Sequence, residues 1–395
     1  MPVTSRDIGR LFRQATVATT ATASKKTGQP APGGEESGRL KGLILSGGKG
    51  SRLRPFTYTN AKQLVPIANR PVLFYTIDQL VECGITDIGI VVGDTGEQVK
   101  TAVGDGSTFG ARVTYIQQDA PLGIAHAVKI AREYLGGSRF VLYLGDNFVL
   151  GGIRSYVESF VANECNGQVL LHAVDDPRAF GIAQLVGGRV ARIVEKPQEP
   201  PTNLAVIGVY MLDPNVFGVI DGLQPSGRGE LEITDALQGL IDLGLNVRAE
   251  VMDRYWIDTG KMDDLLNANR MVLGTLEQRC EGRLDERSRV YEPVVVERGA
   301  SIVNSVLRGP LIIGRDAEIV DSYVGPCTAI DHGCRLRGVR IENSIVMENT
   351  VIEEVHWPIV QSVVGRHVEL RGSHGVGGGY SLTLGDHSRI EMPDA

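Results

Sequence analysis

Residues 42–55 read Gly42-Leu43-Ile44-Leu45-Ser46-Gly47-Gly48-Lys49-Gly50-Ser51-Arg52-Leu53-Arg54-Pro55. A short apolar run, Leu43-Ile44-Leu45, stops at glycines and is followed by Lys49, Arg52 and Arg54. The run reads as a buried strand. Glycines let backbone N–H groups approach phosphate closely, and Arg supplies planar multi-donor charge. The loop is not a Walker A motif. With Gly48-Lys49 as its GK pair, that motif needs Gly at 43 and Ser or Thr at 50, where Leu43 and Gly50 stand. It is not a dinucleotide fingerprint either, because Leu53 occupies the third glycine position. The residues point to a phosphate-binding loop, with an ordinary strand–loop turn as the alternative.

Outward from this loop, strand and helix patterns alternate between Leu40 and Leu276. Pro71 opens a helical pattern through Phe74, Ile77, Leu80 and Val81 that Gly84 closes. Ile88–Val92 and Val113–Ile116 read as strands, Leu122–Leu135 as a helix, and Phe140–Leu144 as a strand ending at Gly145-Asp146. This alternation predicts an α/β fold with a doubly wound, mostly parallel sheet. Ligands then sit at the carboxyl ends of the strands, after Leu45 and Leu144.

From about Val290 helical periodicity disappears. Aliphatics recur near every sixth position at Ile313, Ile319, Val324, Ile330, Leu336 and Ile341, separated by Gly, Asn, Asp, Cys and Ser. Such a hexapeptide period predicts a parallel β-helix of about five or six coils, each about 18 residues long. The alternative is an antiparallel sandwich. The period is irregular at Glu353-Glu354 and at Gly377-Gly378-Gly379. The expected organisation is an extension over 1–39, an α/β region over 40–276 and, after a linker, a β-helix region over 277–395. The extension is rich in Thr, Ala, Ser, Pro and Gly. It reads as disordered or partly helical, with an organelle-targeting segment as the alternative.

Lys+Arg total 40 and Asp+Glu 47, a net charge of −7, which argues against a nucleic-acid-coating protein. No uncharged apolar run approaches the ~18–20 residues that cross a bilayer. Cys83, Cys165, Cys280, Cys327 and Cys334 form no CxxC pair and read as free thiols of a cytoplasmic protein. Cys327 and Cys334 lie too close in sequence to stack on neighbouring coils.

Three further features carry candidate chemistry. Asp146 follows a buried strand, where a carboxylate suits a Mg²⁺ ion beside phosphate oxygens or, alternatively, a helix cap. Asp258, in Trp256-Ile257-Asp258-Thr259-Gly260, has a similar setting, and Lys62 follows the phosphate loop in Lys62-Gln63-Leu64-Val65-Pro66. Glu195-Lys196-Pro197 ends a strand-like run and reads by itself as a charged strand end.

These segments, with Gly104-Asp105-Gly106, Leu144-Gly145-Asp146-Asn147 and Gly229-Glu230-Leu231-Glu232-Ile233-Thr234-Asp235, resemble the sugar-1-phosphate nucleotidylyltransferases. The likeness is to their long-form glucose-1-phosphate thymidylyltransferases, dense over 40–275 and looser in the β-helix. The resemblance implies a nucleotidyltransferase fold, a left-handed β-helix and attack of glucose-1-phosphate on the α-phosphorus of dTTP or UTP, with Mg²⁺. It implies catalytic roles for Arg52, Lys62 and Lys196. Leu45, Gly47, Gly48, Gly50, Gln118, Gly123 and Asp146 would bind the nucleotide. Asn147, Gly181, Glu195, Lys196 and Val206 would bind the sugar, and Asp146 and Asp258 the metal. Phe180 and His126 depart from the short form, which has Tyr and Gln there. Other readings are a non-catalytic scaffold relative, and an added acyltransferase using His332, His356, His367 or His374. A homo-oligomer is expected from the flat β-helix faces, with no nucleic-acid or membrane partner.

Overall fold

A computed structural model of the chain describes residues 40–48, 50–372 and 386–391. The expected 1–39 extension, Lys49, Gly377–Gly379 and His374 lie outside the described residues.

The opening apolar run forms β1 (Lys41–Ser46), and the turn Ser51–Leu53 follows its loop. The chain then makes a short ribbon, Pro66–Ile67 against Arg70–Pro71. It continues into α1 (Val72–Glu82), β2 (Asp87–Val92), α2 (Gly96–Val103) and β3 (Arg112–Gln117). Next come α3 (Ile124–Ile130), a separate turn Arg132–Leu135, β4 (Phe140–Leu144), β5 (Asn147–Val149) and α4 (Arg154–Ala162). β6 (Gly167–Ala173), β7 (Gly181–Val186), β8 (Arg189–Glu195) and β9 (Leu204–Leu212) precede α5 (Asn215–Gly222) and α6 (Ile233–Asp242). β10 (Val247–Val251), β11 (Trp256–Asp258) and α7 (Met262–Leu273) complete the α/β region.

The main sheet has nine strands, with the path β8-β7-β9-β4-β1-β2-β3, β6 paired to β9 and β10 paired to β6. The half that carries the glycine-rich loop after β1 is parallel: β1 pairs with β2 and β4, and β2 with β3. Beyond β4 the sheet turns antiparallel through β9, β7 and β8, because β7 and β8 are joined by a tight hairpin rather than a helical crossover. β2 and β4 are buried on both faces, which explains their unbroken aliphatic runs, whereas β3 at the edge alternates exposed and half-buried residues.

One expected helix is shorter than its periodicity. α3 starts at Ile124 rather than Leu122 and ends at Ile130 rather than Leu135. Residues 122–125 instead pair with the chain at Leu231, whose N–H donates to Leu122 O (2.8 Å) and whose carbonyl accepts from Ala125 N (3.0 Å). This pairing outweighs helix propensity at the N-terminal end.

From Arg279 the chain winds into a three-faced parallel β-helix, with sheets of six, six and five strands among the described residues. Stacked positions are not uniformly 18 apart: Leu311 pairs with Thr328, Ala329 with Ile345, and Ile345 with Val363, intervals of 17, 16 and 18. All six of the periodic aliphatics, from Ile313 to Ile341, are buried in one interior cluster. The polar residues between them serve the corners. Gly299, Asp316, Gly333, Asn349 and His367 form one column of left-handed residues, with φ between 55° and 82°. Asn343 and Cys327 turn another corner the same way, which suits Gly, Asn and Asp. Cys327 and Cys334 are free thiols, as are the other three.

The β-helix does not leave all its faces open. Its strands Val294–Val296, Leu311–Ile313 and Thr328–Ile330 are aliphatic at every position except Thr328. Their outer residues Val295, Ile312 and Ala329 join Ile345 and Met347 in a cluster with Ile67, Val72, Phe148 and Leu265. That seam seats the β-helix on α7 and the 66–71 ribbon, and the two regions belong to one compact unit. Asn269 crosses the seam: its Oδ1 accepts from Ala68 N (2.8 Å) and its Nδ2 donates to Cys327 O (3.1 Å).

Candidate active site

The site begins where β1 and β4 end side by side, with the Gly145 N–H donating to the carbonyl of half-buried Leu45 (2.9 Å). The loop after β1 is held from outside. Gln63 Nε2 donates to Gly47 O (2.9 Å) and Thr57 Oγ1 donates to Gly50 O (2.7 Å). Gly50 has φ 55°, and a Cβ there would stand 2.9 Å from Thr57 Cγ2 and 3.1 Å from Lys62 Cβ. The loop's main chain therefore runs against the residues that carry the site's charge, leaving no room for a side chain at 50.

Lys62 and Asp146 lie 84 residues apart in sequence, yet Lys62 Nζ donates directly to Asp146 Oδ2. The same ammonium lies 3.7 Å from Asp258 Oδ1, and Arg52 lies 3.7 Å from Asp258 Oδ2. Asp146 and Asp258 meet because β5 and β11 pair antiparallel, which sets Asp258 opposite Asn147. The Asp146 carbonyl accepts from Thr259 N (3.0 Å) and Thr259 Oγ1 (2.8 Å). Gly260 lies so close to Arg52 that a Cβ would sit 2.7 Å from the guanidinium.

The charges respond to this crowding. Burial opposes ionisation of Lys62, but Asp146 and Asp258 more than offset it and hold its pKa above the ordinary lysine value. Burial also opposes ionisation of Asp146, and the Lys62 ammonium outweighs it, so its pKa is lowered. Burial, then the Asp146 charge, pushes Asp258 up against the pull of Lys62 and Arg52. Asp258 Oδ1 is buried with no hydrogen-bond partner. Two hard oxygen donors, one unsatisfied and with a cation already between them, fit a divalent metal ion.

The other wall lies at the same end of the sheet, because Gly181 opens β7 opposite Glu195, the last residue of β8. Glu195 Oε2 accepts from Thr234 Oγ1 (3.1 Å), while Oε1 accepts from Arg228 (3.1 Å) and pairs with Lys196 Nζ (3.4 Å). A Cβ on Gly181 would stand 2.6 Å from Thr234 Cγ2. Lys196 holds φ at 39°, a strained conformation for a side-chain-bearing residue, with its N–H bonded to Phe180 O (3.0 Å). Phe180 packs edge-on against Trp256, its ring centroid 5.6 Å away.

Just after β3, Gln118 Nε2 lies 3.0 Å from His126 Nδ1 and 3.5 Å from Gly123 O. Gly123 has φ 104°, and a Cβ would meet Leu231 O at 2.3 Å, so this position admits only glycine.

Two of the expected sugar-binding residues have buried side chains. Asn147 is buried, and its amide is used inside the protein: Oδ1 accepts from Trp256 Nε1 (2.7 Å) and Gly208 N (3.2 Å), and Nδ2 donates to Asp146 Oδ1 (2.9 Å). Its amide thereby orients Asp146. The Val206 side chain is buried in the core, which leaves only its main chain to face a ligand. Sequence reasoning missed Arg228, whose guanidinium also grips Glu232 through Nε (3.2 Å) and a terminal nitrogen (2.8 Å). Its position just before Gly229-Glu230-Leu231-Glu232 was the available signal. Gln63 was missed too, since nothing local shows that it holds the phosphate loop.

In the β-helix, His332 Nδ1 bonds Asp331 Oδ1 (3.0 Å), and these two groups with Glu348 lie within 4.8 Å of one another. Glu348 pairs with Arg366 (3.2 Å), which donates to Asn60 on the segment leading to Lys62. Among the described residues, no helix is long and apolar enough to cross a membrane.

Residues 41–274 match the nucleotidyl transferase family model. A glucose-1-phosphate thymidylyltransferase of Streptomyces griseus is 47% identical over 89% of this chain and 99% of that protein. One of Streptomyces antibioticus is also 47% identical, over 89% and 99%. A Bacillus anthracis structure described as a glucose-1-phosphate thymidylyltransferase with bound sucrose has a TM-score of 0.56 and 40% identity. It covers 58% of this chain and 94% of its own. The chain belongs to the sugar-1-phosphate nucleotidylyltransferase family.

Proposed function

We propose that this chain transfers a thymidylyl group from dTTP to glucose-1-phosphate, giving dTDP-glucose and pyrophosphate. The observation that carries the reading is the convergence of Lys62, Asp146 and Asp258 beside the loop after β1. It stands in a chain that spans 99% of its Streptomyces griseus thymidylyltransferase relative. A phosphate oxygen of the sugar phosphate attacks the α-phosphorus in line. The new O–P bond forms as the bond to the bridging oxygen breaks, and pyrophosphate leaves with that electron pair. Such transfer depends on alignment and charge neutralisation more than on covalent catalysis.

In this reading the main chain at Gly47, Gly48 and Gly50 cradles the triphosphate, and Arg52 meets the charge that develops on pyrophosphate. Lys62 contacts the α-phosphate. Lys196 and Arg228 hold the sugar phosphate, Glu195 accepts from glucose hydroxyls beside Gly181, and Gln118 reads the base edge beside Gly123. Asp146 and Asp258 would hold Mg²⁺, which when bound supplies positive charge shared between the oxygens of the two substrates. Asn147 and Trp256 keep Asp146 in place. The five free thiols support a reducing, cytoplasmic setting, and the β-helix faces outside the seam support self-association as a homo-oligomer.

The test is pyrophosphate release from Mg²⁺, glucose-1-phosphate and each of dTTP, UTP, ATP, CTP and GTP in turn. Turnover with dTTP above that with UTP is expected. Turnover mainly with UTP would keep the mechanism and change the donor, and folded protein that releases pyrophosphate from none would overturn the reading.

A further inference from the structure

The amide of Gln118 is anchored asymmetrically. Its Nε2 faces His126 Nδ1 at 3.0 Å and Gly123 O at 3.5 Å. Its Oε1 points the other way, 3.5 Å from where a Cβ on Gly47 would lie. A carbonyl oxygen can only accept, and a neutral imidazole with its proton on Nε2 also accepts at Nδ1. Both neighbours therefore call for the amide nitrogen and repel the amide oxygen. Partial burial, and then the charge of Lys129 one turn on, hold the His126 pKa below its ordinary value, which favours the neutral ring.

Resting on the reading that Gln118 meets the base, we propose that His126 is a positioning residue that fixes which way the Gln118 amide faces. The site thereby accepts thymine or uracil and rejects cytosine. Thymine and uracil present an N3–H donor flanked by carbonyl acceptors. Gln118 Oε1 receives that N–H, and the Nε2 hydrogen not given to His126 reaches a carbonyl. Cytosine presents an N3 lone pair beside an amino donor, so in the same pose oxygen faces lone pair and N–H faces N–H. Only a reversed amide fits cytosine, and reversal sets Oε1 against His126 Nδ1 and Gly123 O. The discrimination comes from this repulsion rather than from extra attraction for thymine.

The experiment compares kcat/KM for dTTP and dCTP, at saturating glucose-1-phosphate and Mg²⁺, in the wild type, His126→Leu and His126→Gln. His126→Leu frees the amide, so dTTP efficiency should fall about 10-fold and the dTTP/dCTP ratio should shrink by at least about 10-fold. The KM for glucose-1-phosphate should not move. His126→Gln can turn its own amide to offer either an acceptor or a donor, so the ratio should shrink there too, by less than in His126→Leu. An unchanged ratio in His126→Leu overturns the proposal, as does an equal loss on both nucleotides with a shifted KM for glucose-1-phosphate. Should His126→Leu fail to fold, His126→Gln decides: a smaller ratio supports the proposal and an unchanged one overturns it. A wild type inactive with every nucleotide overturns the functional reading as well, whereas normal wild-type selectivity with an unchanged Leu variant overturns this proposal alone.

Discussion

The α/β region and the β-helix are both built from short aliphatic strands, but they assemble their important contacts differently. In the β-helix each strand pairs with another 16 to 18 residues away, as in Leu311 with Thr328 and Ile345 with Val363. The mouth of the α/β region joins Lys62 both to Asp146, 84 residues away, and to Asp258. The β-helix repeats one solution at a fixed interval. The catalytic mouth is made once, from segments that meet only when the sheet closes. Damage to the first should therefore appear as lost stability, and damage to the second as lost chemistry.

The largest effect should follow Asp146→Asn, which removes the charge that pairs with Lys62 and faces the proposed metal. Turnover should fall on the order of 10³-fold with the melting temperature little changed. Steady-state pyrophosphate release with calorimetry checks both, and near-wild-type turnover would break the contrast on the catalytic side. Ile319 is fully buried in the β-helix interior, and Ile319→Ala should cost about 2–5 kcal/mol of stability. Its KM values below the transition should stay at wild-type levels; denaturant unfolding beside kinetics reads this.

Trp256→Phe sharpens the comparison inside the mouth. It removes the N–H that anchors Asn147, and so loosens Asp146, while keeping an aromatic ring against Phe180. Activity should drop about 10-fold, with a higher Mg²⁺ concentration needed for half-maximal rate as its mark in a metal titration. The smallest effect should come from Arg366→Ala, which cuts the tie from the β-helix to Asn60. A fall in kcat below about 10-fold is expected, short of the ~100-fold that gross misplacement costs. A loss as large as that of Asp146→Asn would show that the β-helix is part of the catalytic apparatus and not a neighbour to it.

Much of this contrast was legible in the residues. The interior of the β-helix was marked by aliphatics from Ile313 to Ile341, because a stacked coil imposes its period on the chain. The corners were marked by Gly, Asn and Asp, because left-handed backbone selects them. The phosphate loop was visible because its needs are local: strand, glycines, cations. Arg228, Gln63 and the anchoring of Asn147 were not visible. Each depends on a partner that no local pattern names: Glu195, 33 residues away, for Arg228, Gly47 O, 16 away, for Gln63, and Trp256, 109 away, for Asn147. The outward aliphatics Val295, Ile312 and Ala329 show the same limit, since nothing in a coil's period says that one face will be sealed by α7.

The sequence by itself determined the elements, the repeat, the phosphate loop and the family, because each is written in spacings of a few residues to a few turns. Only the tertiary structure decided which carboxylates share Lys62, which way the Gln118 amide turns, and which β-helix face is covered. These outcomes depend on the desolvation and mutual distance of groups far apart in the chain, and those quantities exist only once the chain is folded.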